Sequence, residues 1–334
     1  MNRRDLLRQV VVTAGAFGLG ALPFGCKRAE TSSEPLRLGL SDWPGHAPFY
    51  GAKKLGLFDP TPVELKGFGS NFDRNRAFAQ GRLEALAAPL FDALKIIDGG
   101  TDLRIVLLFD YSSGGDGIVA RNGISSVADL KGKRVSVELG AITHFVLLAA
   151  LKSAGLKETD VTIVNLSVPE GAEAFTQGKV DAATLWDPHL SRLALLEGAR
   201  KIFTSKEIPG QVIDVLMVQR AVATSRAADV ANLVRGWQRS LLLWKKNPTE
   251  HETLMASQMP GRTQAGLHGD FSGLELLDLE ANDKLFGATG GGPSAANAFE
   301  TTVAFMQQAK LLERPPLSAS TVLDRSFVDR ARVD

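Results

Sequence analysis

Hydrophobic and polar positions along the chain alternate in blocks that predict repeated strand–helix units. Apolar stretches of strand length lie at 36–40 and 134–139, and each is followed by a turn and a helix that ends near Gly56 or Gly155. Glycine supplies the left-handed conformation that often ends a helix. Each half continues with a second strand, a second helix and a third strand. In the first half the strands lie at 63–68 and 83–88, and the helix between them ends at Gly81. In the second half the strands lie at 161–166 and 180–185, and the helix ends at Gly178. This alternation is typical of α/β proteins.

An internal repeat indicates that the two halves fold alike. The segment 77–85, AFAQGRLEA, recurs as 174–182, AFTQGKVDA, and the segment 52–57 has its counterpart at 151–156. The two pairs lie at nearly the same spacing. Repeats at a constant spacing indicate that one structural unit is used twice. We therefore expect two lobes, each with a mostly parallel, doubly wound sheet covered by helices on both faces.

Two further apolar stretches predict strands that cross between the lobes. The first is 103–120, interrupted by the turn residues 111–115, and the second is 211–219. The chain after 227 has helical periodicity, and its apolar face includes Trp237 and Trp244, which we expect to belong to the core. The predicted division is a signal peptide at 1–25, a tether at 26–35, lobe I at 36–118 plus 214–334, and lobe II at 119–213.

Composition agrees with a two-lobed globular protein and excludes several classes. The 334 residues exceed the usual size of one core, and 44% are hydrophobic and 22% charged. The formal net charge of +1 gives no electrostatic reason to expect a nucleic-acid partner. Cys26 is the single cysteine, so no disulfide within the chain, cysteine zinc site or thiol catalyst is expected in the folded body. We expect no cofactor and no metal.

The N-terminal residues have the pattern of an export signal. Arg3 and Arg4 precede the apolar stretch 10–24, which is too short to span a membrane. The arginine pair resembles a twin-arginine signal, and an ordinary Sec signal is the alternative. Cys26 stands where a bacterial lipoprotein carries its lipid, although Pro23 occupies the usual lipobox leucine position. We expect a periplasmic or extracytoplasmic protein anchored through Cys26, or one with an unmodified cysteine near an ordinary cleavage site.

Several motifs together resemble one family of binding proteins. They are WPGHAP at 43–48, AKKLGLF at 52–58, ADLKGKRV at 128–135, GKVDAA at 178–183 and WDP at 186–188. In this combination the chain resembles the nitrate/sulfonate/taurine class of periplasmic solute-binding proteins of ABC importers. The resemblance implies a two-lobed type II periplasmic-binding-protein fold that closes on a small solute, an ABC permease as partner, and no enzymatic activity. We expect a monomer.

Candidate ligand-binding residues follow from the rule that ligands bind at the carboxyl ends of the strands in such sheets. Helix N-termini there can hold anions, and indoles can stack on a ligand. The candidates are Trp43, Gly45 and His46 after the first strand; Ser113, Gly115 and Asp116 on the first crossing; Gly140, Thr143 and His144 after the first strand of lobe II; and Trp186 and Asp187 after its third strand.

For most of these residues a structural role is the alternative. Trp43 could pack under its loop, His46 could be a hydrogen-bonded structural histidine, and Thr143 could cap its helix. Asp187 could cap the next helix or select an amino group. Asp214 on the second crossing is expected to be structural.

The solute is not fixed by the sequence. Helix N-termini favour an anionic end, whereas carboxylates and indoles favour a cationic or planar nitrogen-bearing end, so a zwitterionic aminosulfonate or a sulfonate is favoured. A pyrimidine-like thiamine precursor comes next and nitrate third. A ligand-binding partner of a membrane sensor is an alternative. Enzymes similar to this family or sharing its broad fold, a pyrimidine precursor synthase and a tetrapyrrole-forming deaminase, depend on cysteines that the folded body lacks.

Overall fold

The computed structural model describes residues 34–287, 294–314 and 318–332, and the predicted signal peptide, most of the tether and Cys26 lie outside them. Eleven strands lie within these residues. They are β1 Leu36–Leu40, β2 Val63–Gly67, β3 Ala85–Pro89, β4 Leu103–Ser112, β5 Asp116–Ala120, β6 Arg134–Val137, β7 Thr162–Asn165, β8 Ala182–Trp186, β9 Arg200–Thr204, β10 Ile213–Gln219 and β11 Leu274–Leu276.

Fourteen α-helices lie within the same residues. They are α1 Ala47–Lys54, α2 Asn71–Ala79, α3 Leu90–Asp98, α4 Ile142–Ser153, α5 Val168–Thr176, α6 His189–Ala194, α7 Arg220–Ser225, α8 Ala227–Lys246, α9 Pro248–Ala256, α10 Gln264–Asp270, α11 Leu279–Gly287, α12 Ala295–Gln308, α13 Ala319–Val322 and α14 Ser326–Ala331. None of the described helices is long and apolar enough to cross a membrane.

The strands form two separate sheets, one in each half of the repeat. The first has the order β11-β4-β10-β3-β1-β2 and the second the order β7-β6-β8-β5-β9. The pairs of β1 with β2 and β3, and of β6 with β7 and β8, are parallel. The expectation of mostly parallel sheets holds only for these strands. The crossing strands β10 and β5 enter antiparallel, because each arrives from the other lobe, so both sheets are mixed.

The chain passes between the sheets twice, as predicted. The stretch from Leu103 divides into β4 in the first sheet and β5 in the second, and β9 is followed by β10 back in the first sheet. The predicted lobe boundary at residue 118 falls inside β5, all of which pairs in the second sheet. The other predicted boundaries between the lobes stay predictions. The short strands β9 and β11 had not been expected.

The internal repeat is visible in three dimensions. Arg37 on β1 pairs with Glu84 and donates to Gly81 O, and Arg134 on β6 makes the equivalent contacts with Asp181 and Gly178 O. Gly81 and Gly178 have φ of 71° and 75°. This left-handed region is costly for other residues, so the repeated glycine is explained by the turn that ends α2 and α5.

The C-terminal helices complete the first lobe, and α8 packs against α1 and α14. Trp237 is fully buried, and its ring centroid lies 6.1 Å from that of Phe49 and 6.3 Å from that of Phe109. Trp244 is half-buried and donates Nε1–H to Glu252 at 3.0 Å. Trp237 is therefore a core residue as predicted, whereas Trp244 packs at the edge of the core.

Candidate functional site

A small cavity lies where the two sheets face each other, at the strand ends named by the sequence rule. Its volume is about 20 Å³, which is space for roughly one water. The lining residues come from both lobes and from the crossing strands. They are Ser41, Trp43, His46, Asn71, Arg74, Pro89, Asp116, Ile142, Trp186 and Asp214. The lobes are thus closed on each other, and a solute larger than water needs them to separate.

Three buried carboxyl groups lie at the crossing point of the strands. Asp110 on β4 and Asp214 on β10 are register partners, and Asp116 begins β5. All three residues are at most 3% exposed. Burial raises the pKa of Asp116 to about 8 and that of Asp110 to about 7, and burial together with the neighbouring Asp110 raises the pKa of Asp214 well above its ordinary value. Asp116 and Asp214 line the cavity, which therefore has an acidic wall.

Arg74 also lines the cavity and brings a positive charge to it. Its guanidinium donates to Asp92 at 2.9 Å, and both side chains are almost completely buried. Burial raises the pKa of Asp92, although Arg74 opposes this rise. Asn71, at the start of the same helix α2, has a buried side-chain nitrogen without a hydrogen-bond partner among the described residues. Asn71 therefore offers an unused N–H donor to an anionic group, beside a guanidinium whose charge is already paired with Asp92.

The two predicted indoles lie in the cavity wall. Trp43 is 5% exposed and donates Nε1–H to Asp110 Oδ2 at 2.8 Å. Trp186 is 4% exposed and donates Nε1–H to Asp42 Oδ1 at 3.1 Å. Both ring positions are therefore fixed by carboxylates.

Gly45 and Gly115 are required by the packing of Trp43. A Cβ on Gly45 would overlap the Asp110 carboxylate, and one on Gly115 would lie 2.7 Å from the Trp43 ring. Neither glycine lines the cavity. Both glycines nevertheless shape the cavity, because their lack of a side chain leaves room for the Trp43 indole.

His46 is buried and neutral. Burial, reinforced by Arg74, lowers its pKa to about 3. Its Nδ1 lies 3.1 Å from both Ser41 N and Ser41 O. Nε2 is buried and has no partner among the described residues. His46 therefore presents a neutral ring nitrogen without a partner at the cavity.

The candidates from the start of α4 are occupied by contacts within their own lobe. Thr143 Oγ1 accepts from Glu138 N at 3.2 Å, and His144 Nε2 bonds Glu158 at 3.1 Å. Gly140, with φ of 76°, donates its N–H to His144 Nδ1. The three candidates thus meet partners within the second lobe.

Two further candidates also lie off the cavity wall. Asp187 Oδ1 accepts a hydrogen bond from Ser191 N at 2.9 Å. Asp187 therefore caps α6, which is the structural role considered in the sequence analysis. Ser113 is exposed, and its N–H donates to Gly273 O. The buried hydroxyl on this crossing belongs to Ser112, which accepts from Asp116 N at 3.1 Å.

Sequence reasoning missed Asn71 and Arg74 and expected Asp214 to be structural. Asn71 and Arg74 lie on the helix that follows β2, so the strand-end rule that selected Trp43 after β1 would have found them there. Ser41, Pro89 and Ile142, which also line the cavity, lie at strand or helix ends beside the predicted residues. Nothing in the local sequence of Asp214 signalled its position, since only the pairing of β10 with β4 brings it to the site.

Two carboxylates join the lobes across the cleft. Asp42, after β1, accepts from Trp186 Nε1 and from His189 Nε2 at 2.9 Å. Burial alone would raise the pKa of Asp42, but the hydrogen bonds from His189 and Trp186 lower it. Glu138, after β6, accepts from Ser70 Oγ and Phe72 N in the first lobe. Each lobe thus places an acidic side chain on the other.

A larger cavity adjoins the closed one at Ser41. Its volume is about 340 Å³, within the usual range for small-molecule sites. It is lined by Asp42, Tyr50, Phe68 and Arg262, among others. Arg262 is ion-paired with Asp270 and donates to Asp42 O, so its charge is already compensated. This cavity lies beside Asp42 and its hydrogen bonds with Trp186 and His189 of the second lobe.

The fold is that of two-lobed periplasmic binding proteins. A solved structure with this fold is the alkanesulfonate-binding protein SsuA of Xanthomonas axonopodis pv. citri bound to MOPS, with a TM-score of 0.72, 22% identity and coverage of 88% of this chain and 100% of that one. A desulfurization enzyme, DSZB, also shares the fold, with a TM-score of 0.65, 18% identity and coverage of 89% and 98%.

The chain belongs to the NMT1/THI5-like family, whose profile matches residues 43–251. A putative aliphatic sulfonates-binding protein of Escherichia coli is 33% identical over 42% of this chain, and the taurine-binding periplasmic protein of the same organism is 30% identical over 58%. The matches span 44% and 58% of the lengths of these two relatives.

We predict that the buried carboxyls make the folded protein less stable as the pH rises through their pKa values. The pKa of Asp116 is raised to about 8, so the folded state binds a proton that the unfolded state has lost, and the free energy of unfolding falls toward pH 8. His46, with its lowered pKa, acts in the opposite direction only below its ordinary pKa of 6.5. Urea unfolding at about pH 6.5 and 8.5 therefore isolates the carboxyls.

Asp116→Asn is expected to flatten this decline, because its amide does not ionise. Asp73→Asn, which removes an exposed carboxylate on α2, is the matched control and should keep the wild-type slope. An unchanged slope in Asp116→Asn would show that Asp116 is ionised throughout this range.

Proposed function

We propose that this protein is the exported solute-binding component of an ABC importer and that its solute is a small zwitterion of the aminosulfonate class. The observation that carries this proposal is a cavity between the two sheets whose lining includes both buried carboxyls, Asp116 and Asp214, and the nitrogen-bearing side chains of Asn71 and Arg74. Membership of the family and the names of the relatives, which are binding proteins for sulfonates and taurine, support it.

The ammonium end of the solute is assigned to Asp116 and Asp214. Both line the cavity and are buried, and an ammonium group would favour their ionised forms. Asp187 was the sequence-based choice, but its Oδ1 caps α6. A charge-assisted hydrogen bond in such a site contributes roughly 1.5–3 kcal/mol.

The sulfonate end is assigned to the start of α2. Arg74, Asn71 and the helix N-terminus supply positive charge and N–H donors there. Trp43 and Trp186 close the remaining sides with apolar surface, as a short carbon linker between two charged groups requires.

A pyrimidine-like solute is the second candidate. A planar ring could stack on Trp43 or Trp186 and donate N–H groups to Asp116 or Asp214. The two indoles in the cavity wall favour it. It would leave the buried side-chain nitrogen of Asn71 without an acceptor, which is why the zwitterion is preferred.

The proposed role is binding and delivery rather than catalysis. Closure of the lobes around the solute would present one compact surface to a permease. The protein is proposed to act as a monomer. DSZB shows that this fold also occurs in an enzyme. A membrane sensor as the partner instead of a permease would be revealed by the proteins that copurify with the chain.

Three probes that differ in one charged group test the solute class. Taurine carries both groups, ethanesulfonate lacks the ammonium, and ethylamine lacks the sulfonate. Isothermal titration calorimetry on the full chain should show taurine binding at least about tenfold more tightly than either single-charge probe. Equal affinity for taurine and ethanesulfonate would refute the ammonium assignment, and tight binding of an aminopyrimidine alone would favour the second candidate.

Variants of Asp116 and Asp187 show in the same assay which of these two aspartates binds the ammonium group. Asp116→Asn should weaken taurine by about tenfold to a hundredfold and leave ethanesulfonate nearly unchanged, because only taurine presents a cation. Asp187→Asn is the matched control and should change the affinity for taurine by less than about threefold. A larger effect at Asp187 than at Asp116 would restore the sequence-based choice.

We further propose that the chain is exported and held at a membrane by a lipid on Cys26. Cell fractionation should place the wild-type protein outside the cytoplasm in the membrane fraction, and Cys26→Ala should move it to the soluble extracytoplasmic fraction, because the lipid attachment site is lost. A cytoplasmic protein that retains residues 1–25 would contradict export. An anchored Cys26→Ala protein would contradict lipidation.

A further inference from the structure

Glu138 of the second lobe lies at the N-terminus of α2 in the first lobe. Its Oε1 accepts hydrogen bonds from Ser70 Oγ at 3.0 Å and from Phe72 N at 2.9 Å. The side chain crosses the cleft to reach them and is 5% exposed. A carboxylate of the protein thus occupies the positive end of the helix that borders the cavity.

Glu138 is incompletely satisfied in this position. Its second oxygen, Oε2, is buried and accepts no hydrogen bond from the described residues. Burial raises its pKa, whereas the hydrogen bonds from Phe72 N and Ser70 oppose this rise. A buried carboxylate oxygen without a donor is unfavourable. The contact is therefore one that a better-fitting anion could replace.

Donors at this helix start outnumber the contacts that Glu138 makes. Ser70 Oγ and Phe72 N are used by Oε1, while the Asn71 side-chain nitrogen is buried and unpaired in the described part of the chain. Asn71 and Arg74 both line the cavity. Ser70 and Phe72, on either side of Asn71, do not themselves line the cavity. A sulfonate has three oxygens and could accept from all three donors only by taking the place of the Glu138 carboxylate, with Arg74 one turn further along the helix.

We propose that Glu138 is an internal competitor that fills the anion position of the closed, solute-free protein and is displaced by the anionic group of the solute. Because Glu138 is tethered beside the site, it competes at a high effective concentration. Weakly accepting or neutral groups are then excluded, and only a fully charged oxyanion displaces it. The inference rests on the proposed function only in requiring an anionic group on the solute.

Glu138→Gln tests the competition because it removes the charge at nearly constant shape. The probes are ethanesulfonate and inorganic sulfate, which carry no ammonium and so do not depend on Asp116 or Asp214. Calorimetry should show each probe binding about tenfold more tightly to the variant than to the wild type, since the charged competitor is gone. Glu173→Gln, which neutralises an exposed glutamate of the second lobe, is the control and should bind as the wild type does.

The opposite role for Glu138 gives the opposite result. If Glu138 only held the closed, solute-bound form together, Glu138→Gln would bind the probes more weakly, and weaker or unchanged binding overturns the proposal. If neither the wild type nor the variant binds ethanesulfonate or sulfate, the competitor role of Glu138 is also overturned. If the protein then still binds ethylamine, its proposed role as a solute-binding protein stands. Should the Gln variant not fold, Glu138→Asp replaces it, because the shorter carboxylate should reach the donors less well and bind the probes more tightly than the wild type.

Discussion

The burial of Asp110, Asp116 and Asp214 at the point where the chain crosses between the lobes is the constraint on which the site depends. Strands β4, β5 and β10 bring the three carboxyls together, and Trp43 is oriented by one of them. Isolated buried carboxylates are costly, so they must hold protons or face a cation. Under the proposed function, a solute that carries a positive charge would supply that cation where the two lobes meet.

The closed form is held by an exchange of acidic side chains between the lobes. Asp42 of the first lobe accepts from Trp186 and His189, and Glu138 of the second accepts from Ser70 and Phe72. The cavity that remains holds about one water. Hydrogen bonds of this kind contribute little net free energy when water can replace them. The lobes can thus separate to admit a solute while each lobe keeps its own stable fold.

Much of the fold followed from periodicity, whereas the site followed only in part. Strand–helix alternation and the repeat predicted both sheets and both crossings, because local patterns determine those elements. Trp43, His46, Asp116 and Trp186, predicted to bind the ligand, line the cavity, and their role in binding stays a prediction. Asp214 was placed on the second crossing but expected to be structural, because its position beside Asp110 depends on strand pairing. The position of Glu138 depends on how the lobes face each other, so it could not be inferred from nearby residues. The polar groups of Thr143 and Asp187 meet partners within their own lobe.

A crystal structure of the protein with taurine tests the central assignment most directly. The account predicts that the ammonium nitrogen lies about 3 Å from carboxyl oxygens of Asp116 or Asp214. It also predicts that the sulfonate lies at Asn71 and Phe72 N, with the Glu138 side chain moved away. A reversed ligand, with its sulfonate beside the aspartates, or a ligand bound outside this cavity would contradict the account.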